Sequence, residues 1–270
     1  QYEFKYEELE PFIQFSSFVD LKCIAEGGSF GIYNTTGKYY PKKNIWNGEK
    51  GFVYWEEDAL KKDSLFAELQ TYVVDSRISL LETDSVLFYN KSVFSDPIFG
   101  KLIYKITIGK QSTTYPRFIS YKKDIQILEI FPNIDYKGGY KMLGNNFIAD
   151  GGKYSDANII FKRNGEPIFV ATSNRFSIGE NKISSQYATI KIFFDNDSIY
   201  HSGLRFKYLN DERLLQLYRD RLGASGGPML DTYHQLTIDF ELLQWYIDSD
   251  VITFGSLPGN SLSSVYFESA

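Results

Sequence analysis

Cysteine occurs once in these 270 residues, histidine twice and tryptophan three times. The lone thiol, Cys23, leaves no internal disulfide and no multi-thiolate metal centre. With only His201 and His234 the His-rich spacing of a zinc site is also missing, so neither a metal nor a cofactor is expected. Basic residues are outnumbered, 29 against 34 acids for a net charge of −5, and they are spread along the chain. That distribution offers no phosphate-binding face and counts against nucleic acid as a partner. No apolar run approaches the roughly 18 residues a membrane-crossing helix needs. The chain starts at Gln1 without a recognisable signal peptide, which suits a mature or excised piece of an exported protein.

What is abundant is aromatic: 17% of residues, with 22 Phe and 21 Tyr. Aromatic and β-branched side chains fit a pleated, half-buried surface. The expectation is therefore a mainly β chain of many short antiparallel strands. They would form an elongated β-stack, a jelly-roll or taco, or a sandwich, with at most one or two short helices. Alternation is clearest in Ala188-Thr189-Ile190-Lys191-Ile192 and in Leu204-Arg205-Phe206-Lys207-Tyr208, one face wet and one buried. Gly27-Gly28-Ser29-Phe30-Gly31 is followed by no helical pattern and reads as a turn between strands. Asn47-Gly48 and Lys50-Gly51 read as a hairpin turn, and Gly138-Gly139 as a bulge or close backbone approach. Glu56-Glu57-Asp58 and the leucines that follow permit one short helix within residues 56–74. Residues 210–223 read either as a capped helix or as a hairpin, with the hairpin preferred. Two regions result: residues 1–74 as N-terminal strands and turns, and residues 75–270 as a repetitive β region continuing in a longer parent chain.

Both histidines fall between Asp195 and Phe240, each after a tyrosine, as Tyr200-His201 and Tyr233-His234. The pairs are 33 residues apart, and Tyr266-Phe267 lies 33 further on, which suggests equivalent strand starts in a repeat. Asp-Ser occurs five times, against about two expected from composition. Asp and Ser bond nearby backbone and open turns, so these pairs read as corners.

Catalytic patterns are thin. Gly-x-Ser-x-Gly appears around Ser29 and Ser225, but neither is followed by the helix a nucleophile elbow needs. Ser225-Gly226-Gly227-Pro228 resembles the serine loop of trypsin-like proteases, yet Ala224 replaces the usual acid and no histidine lies far upstream. Asp195-Asn196-Asp197 opens like a calcium loop, with Tyr200 where glycine is required. Carboxylates beside tryptophan, at Glu56 to Asp58 and at Asp239 and Glu241, leave a glycan-processing pair open. As ligand-binding candidates the residues single out Trp55, Trp245, Tyr200, His201, Tyr233 and His234, with Trp46 as a further stacking ring; no catalytic residue is assigned.

The short strands and turns of Ala157-Asn158-Ile159-Ile160-Phe161, Arg163-Asn164-Gly165, Ile168-Phe169-Val170-Ala171 and Asp197-Ser198-Ile199-Tyr200-His201 set a rhythm. It resembles Gram-negative envelope proteins that stack short strands into a groove, the OstA-like lipopolysaccharide-transport and TamB/AsmA-like families, over at most residues 75–267. The resemblance implies an apolar inner face that carries or shields lipid in the periplasm or at the outer membrane, envelope proteins as partners, and no catalytic residues. The leading expectation is thus a non-enzymatic cell-envelope protein with a structural or lipid-handling groove. A carbohydrate-binding or glycan-processing β-domain is the alternative, and a fibre or adhesin spacer the third reading.

Overall fold

The computed structural model describes residues 10–55, 64–109, 114–152, 156–194, 197–219, 227–256 and 266–269. Over these residues the chain is almost entirely antiparallel sheet, as its aromatic content implies, and no helix occurs among them. It divides into two compact units, residues 1–122 with 142–145, and residues 123–141 with 146–270. The boundary expected near residue 74 falls instead at the tip of a hairpin inside the first unit.

The first unit begins with β1 (Ile13–Ala25) and β2 (Gly28–Tyr40), joined by a tight turn at Glu26-Gly27. Next come β3 (Ile45–Glu49) and β4 (Phe52–Tyr54), which share one place in the sheet between β2 and β5 (Leu65–Asp75). The meander continues through β6 (Leu80–Asn90), β7 (Ile98–Lys105) and β8 (Arg117–Ser120). Of the helix allowed over 56–74, Leu65–Asp75 is strand and residues 56–63 lie outside the described residues. Leucines at 65 and 69 serve either geometry; sheet wins because Leu69 pairs with Val86 and is fully buried.

A flat meander would hold β2 and β7 about 19 Å apart, at roughly 4.8 Å per strand. The rings of Phe30 on β2 and Tyr104 on β7 instead stack at 4.9 Å. The sheet therefore curls onto its own apolar face. Curling requires bends, and the register slips within β1–β2, β5–β6 and β6–β7. At a slip, ladder groups lose their partners and must be satisfied otherwise. Buried hydroxyls supply the bonds: Thr83 Oγ1 donates to the Thr71 carbonyl (2.6 Å) and accepts from Ser85 N (3.0 Å). Thr35 Oγ1 likewise reaches the Lys50 carbonyl (2.9 Å) where β3 breaks into β4.

Asn47-Gly48 was expected in a turn but lies inside β3, opposite Tyr72 of β5. Its glycine serves space: a Cβ there would enter the Tyr72 ring. Lying across this slot, the tyrosine brings its hydroxyl to Thr35 Oγ1 (2.6 Å) and Trp46 Nε1 (3.1 Å). Burial raises the Tyr72 pKa, so the phenol stays neutral.

The second unit repeats this construction. Hairpin β9 (Ile125–Phe131) and β10 (Ile134–Leu143) leads to β11 (Asn146–Asp150) and β12 (Ala157–Arg163). A two-residue turn at Asn164-Gly165, with φ of 54° and 86°, returns the chain into β13 (Glu166–Ser173) and β14 (Arg175–Ile178). Both residues sit in the left-handed region, which Asn and Gly adopt most readily. Long strands β15 (Lys182–Phe194) and β16 (Asp197–Leu209) follow. Next are β17 (Leu214–Tyr218), β18 (Met229–Asp231), β19 (Leu236–Asp239), β20 (Leu242–Tyr246), β21 (Ile252–Gly255) and β22 (Tyr266–Ser269). Residues 210–213 form the preferred hairpin turn into β17.

Again the bends carry buried hydroxyls. Ser173 Oγ and Ser185 Oγ lie 2.9 Å apart, and both reach the Tyr187 carbonyl. Phe169 on β13 and Trp245 on β20, four strand positions apart, meet edge-on at 6.4 Å. Phe161, Phe169, Phe206 and Tyr208 fill the interior and are fully buried. The expected close approach at Gly138-Gly139 is real: Tyr136 lies over Gly138 and its hydroxyl donates to the Gly139 carbonyl, while the Asp150 backbone closes on Gly139.

Gly48→Ala should lower unfolding stability by about 1–3 kcal/mol through overpacking against Tyr72. Gly255→Ala, where a Cβ meets open space, should stay within about 0.5 kcal/mol of the parent. Urea midpoints measure both, and equal midpoints for the two variants would refute the slot.

Candidate functional site

Among the described residues, the buried ionisable side chains other than tyrosine are His201, Arg219, Asp231 and Glu241. All four come from the β16–β20 part of the second unit, the stretch that holds both histidines. Buried charge is costly unless paired, so this concentration marks the place with the most chemistry.

His201 is the fifth residue of β16 and points inward, 4% exposed. Its Nε2 lies 2.9 Å from the Gly227 carbonyl, which can only accept, so Nε2 carries the proton and Nδ1 is bare. No described residue bonds Nδ1. Arg219 Nη1 donates to the same carbonyl at 3.0 Å, and Nη2 pairs with Asp239 Oδ1. Phe240 packs against both side chains, its ring 5.6 Å from the Arg219 guanidinium and edge-on to His201 at 6.4 Å. Burial lowers the His201 pKa; the Gly227 bond opposes this, and the Arg219 charge adds to it. The imidazole is neutral when folded.

Asp231, on β18, is buried and holds the turn that follows: Oδ1 accepts the His234 amide (3.0 Å) and Oδ2 meets His234 Nδ1 (2.8 Å). The His234 ring is largely exposed, and no described serine, threonine or cysteine is hydrogen-bonded to it. A carboxylate-oriented histidine is half of a nucleophile-activating pair, and here it also explains the turn geometry. Tyr233 is half exposed and packs on Phe194 (5.9 Å) and His234 (4.8 Å). Tyr200, 40% exposed, faces away from His201 on the same strand.

The tryptophans are not stacking platforms. Trp55 is 7% exposed, donates Nε1–H to the Gly144 carbonyl at 3.0 Å and packs against Phe88. Trp245 and Trp46 are each 5% exposed, the former bonded to the Ser249 carbonyl at 2.8 Å. Their sheet positions alternate inward, and each indole N–H is used internally. Nor are the Tyr-His pairs equivalent strand starts: His201 is within β16, whereas His234 lies in the β18–β19 turn. Asp75-Ser76 and Asp248-Ser249 do sit at strand ends and Asp197-Ser198 opens β16, but Asp84-Ser85 lies at the bend of β6. Ser225, Asp195, Asn196, and Glu56 to Asp58 lie outside the described residues.

Two surface features of the first unit escaped sequence reasoning. A polar groove of about 680 Å³ is lined by Gln14, Lys38, Asn47, Glu49, Glu82 and Asp84, with Tyr40 at its side. Lys101 bridges Glu82 (2.6 Å) and Asp84 (3.2 Å), so two of its acids are already neutralised. A smaller cleft of about 270 Å³ lies beneath β1 and is lined by Phe15, Leu21, Cys23, Phe30, Ile32 and Trp46, with Lys22 and Ser76 also on its wall. Among the described residues, no group of His, Cys, Asp and Glu is arranged to hold a metal ion.

The chain matches no family model, no curated protein and no solved structure.

Because the unfolded His201 takes up its proton at a higher pH than the folded one, its contribution is complete above about pH 6.5. It is lost progressively below that, down to the lowered folded value. Urea midpoints should fall between pH 7.5 and 5.5, and His201→Gln should flatten that slope; an unchanged slope would contradict the buried neutral imidazole.

Proposed function

We propose that this is a non-enzymatic β protein of the cell envelope that shelters an apolar group, such as an acyl chain, in the cleft beneath β1. The observation that carries the reading is the lining of that cleft: eight of its ten residues are aliphatic, aromatic or cysteine, with Lys22 placed to meet an anionic headgroup. The reading is narrower than a conveying groove. Packed rings, Phe30 stacked on Tyr104 and Phe161 edge-on to Tyr208 (5.0 Å), occupy the inner faces along which lipid would travel. At about 270 Å³ the cleft is just below the range of drug-sized ligand sites, so it suits one end of a chain more than a whole lipid. The weakness of the catalytic motifs favours binding over catalysis.

The polar groove supports a second reading, glycan binding. Its amides, carboxylates and lysine offer directional hydrogen bonds beside the Tyr40 ring. With the tryptophans buried, that tyrosine replaces them as the stacking candidate.

Cys23 lines the apolar cleft and is partly exposed, so it reports occupancy. Saturating acyl lipid should slow alkylation of Cys23 by about tenfold or more, and lipid should be extractable from protein purified without detergent. Full-rate alkylation together with lipid-free protein would reject the acyl reading. Glycan-array binding lost in Tyr40→Ala would favour the second.

A further inference from the structure

Strand β1 is an edge: among the described residues it pairs with β2 alone. Edges of this length are usually blunted, because their unpaired peptide groups recruit other strands. This one carries large apolar side chains on its outer face instead, with Phe18 59% and Ile24 72% exposed. Between them stand Asp20 and Lys22, both exposed, with Lys22 at the rim of the cleft, while Val19, Leu21 and Cys23 are partly buried and the last two line the cleft. The segment Phe18-Val19-Asp20-Leu21-Lys22-Cys23-Ile24 is thus self-complementary about Leu21.

We propose that two copies of this chain associate through β1, antiparallel, with Leu21 on the two-fold axis. Asp20 of each copy then lies opposite Lys22 of the other, giving two directly opposed ion pairs. Phe18 lies opposite Ile24 on the outer face, and Val19 opposite Cys23 on the inner face. Opposed residues have equal parity, as an antiparallel ladder demands. Cross-strand apolar and opposite-charge pairs of this kind favour one register, and like charges opposite each other oppose it. Asp20 is already oriented: its Oδ1 accepts the Asn34 amide at 2.8 Å, which leaves Oδ2 for the lysine. In the pairing with β2 the register slips on either side of Val19 and is regular from Leu21 to Ala25. A two-fold edge contact is also closed, so it ends at the dimer and does not propagate into fibres. It would set the two apolar clefts side by side across the axis, since Leu21 and Cys23 line both. The inference rests on β1 alone and stands whether or not the cleft binds lipid.

Sedimentation of the full chain at about 100 µM should show a dimer that dissociates on dilution. Lys22→Glu sets like charges opposite each other and should weaken association by about tenfold or more. The exchanged double variant Asp20→Lys/Lys22→Asp restores opposite charges and should recover the dimer, an outcome no misfolding explanation produces. In a Cys23→Ser background, Leu21→Cys should yield a disulfide-linked dimer on mild oxidation, since the two positions are directly opposed. A parent chain that is monomeric at this concentration would overturn the proposal. So would a dimer that Lys22→Glu leaves intact, or one the exchanged variant does not recover.

Discussion

The structure depends on bending its strands without leaving backbone groups unbonded. A single meander has one apolar face, and the chain covers it by turning each sheet back upon itself. Every bend opens the ladder, and an orphaned buried carbonyl or amide costs about as much as a lost hydrogen bond. The chain answers with small hydroxyls at the bends. Thr35, Thr83, Ser120, Ser173 and Ser185 are the buried uncharged polar side chains described, and each bonds backbone beside a bend or a strand end. Where the curled faces then meet, aromatic rings fill the space, and glycines on adjoining strands give them room to lie flat.

Much of this architecture is legible in the residues. Alternation in Ala188 to Ile192 and Leu204 to Tyr208 places the buried face correctly, and Asn164-Gly165 marks its turn. Less legible is β1, where Ser16, Ser17, Asp20 and Lys22 dilute the pattern; the strand is an edge, exposed on one face and only partly buried on the other. Gly48 misleads because glycine signals a turn when read along the chain, whereas its reason lies across the sheet in Tyr72. The leucines of β5 fit helix and strand equally until their partners on β6 are known.

The site was harder still. Residue identity drew notice to the histidines, and the structure does gather buried charge around them, but in a form no spacing reveals. Arg219 and His201 converge on one carbonyl from different strands. Tryptophan seemed a natural sugar platform; its fate depends on which face of a strand it occupies, and all three turned inward. The two clefts of the first unit arise from the curvature of several strands together, so no single segment contains either.

One property of the meander reaches beyond the folded state. Within each unit nearly every strand bonds to strands close by in sequence, and the long-range ring contacts form only after the sheet curls. Such a chain closes small loops first, which is the cheap direction in conformational entropy. It can grow hairpin by hairpin as it leaves the ribosome, each finished strand templating the next. Until the last strand arrives, the growing margin is a raw β edge, so synthesis itself is the interval when wrong partners have the best access.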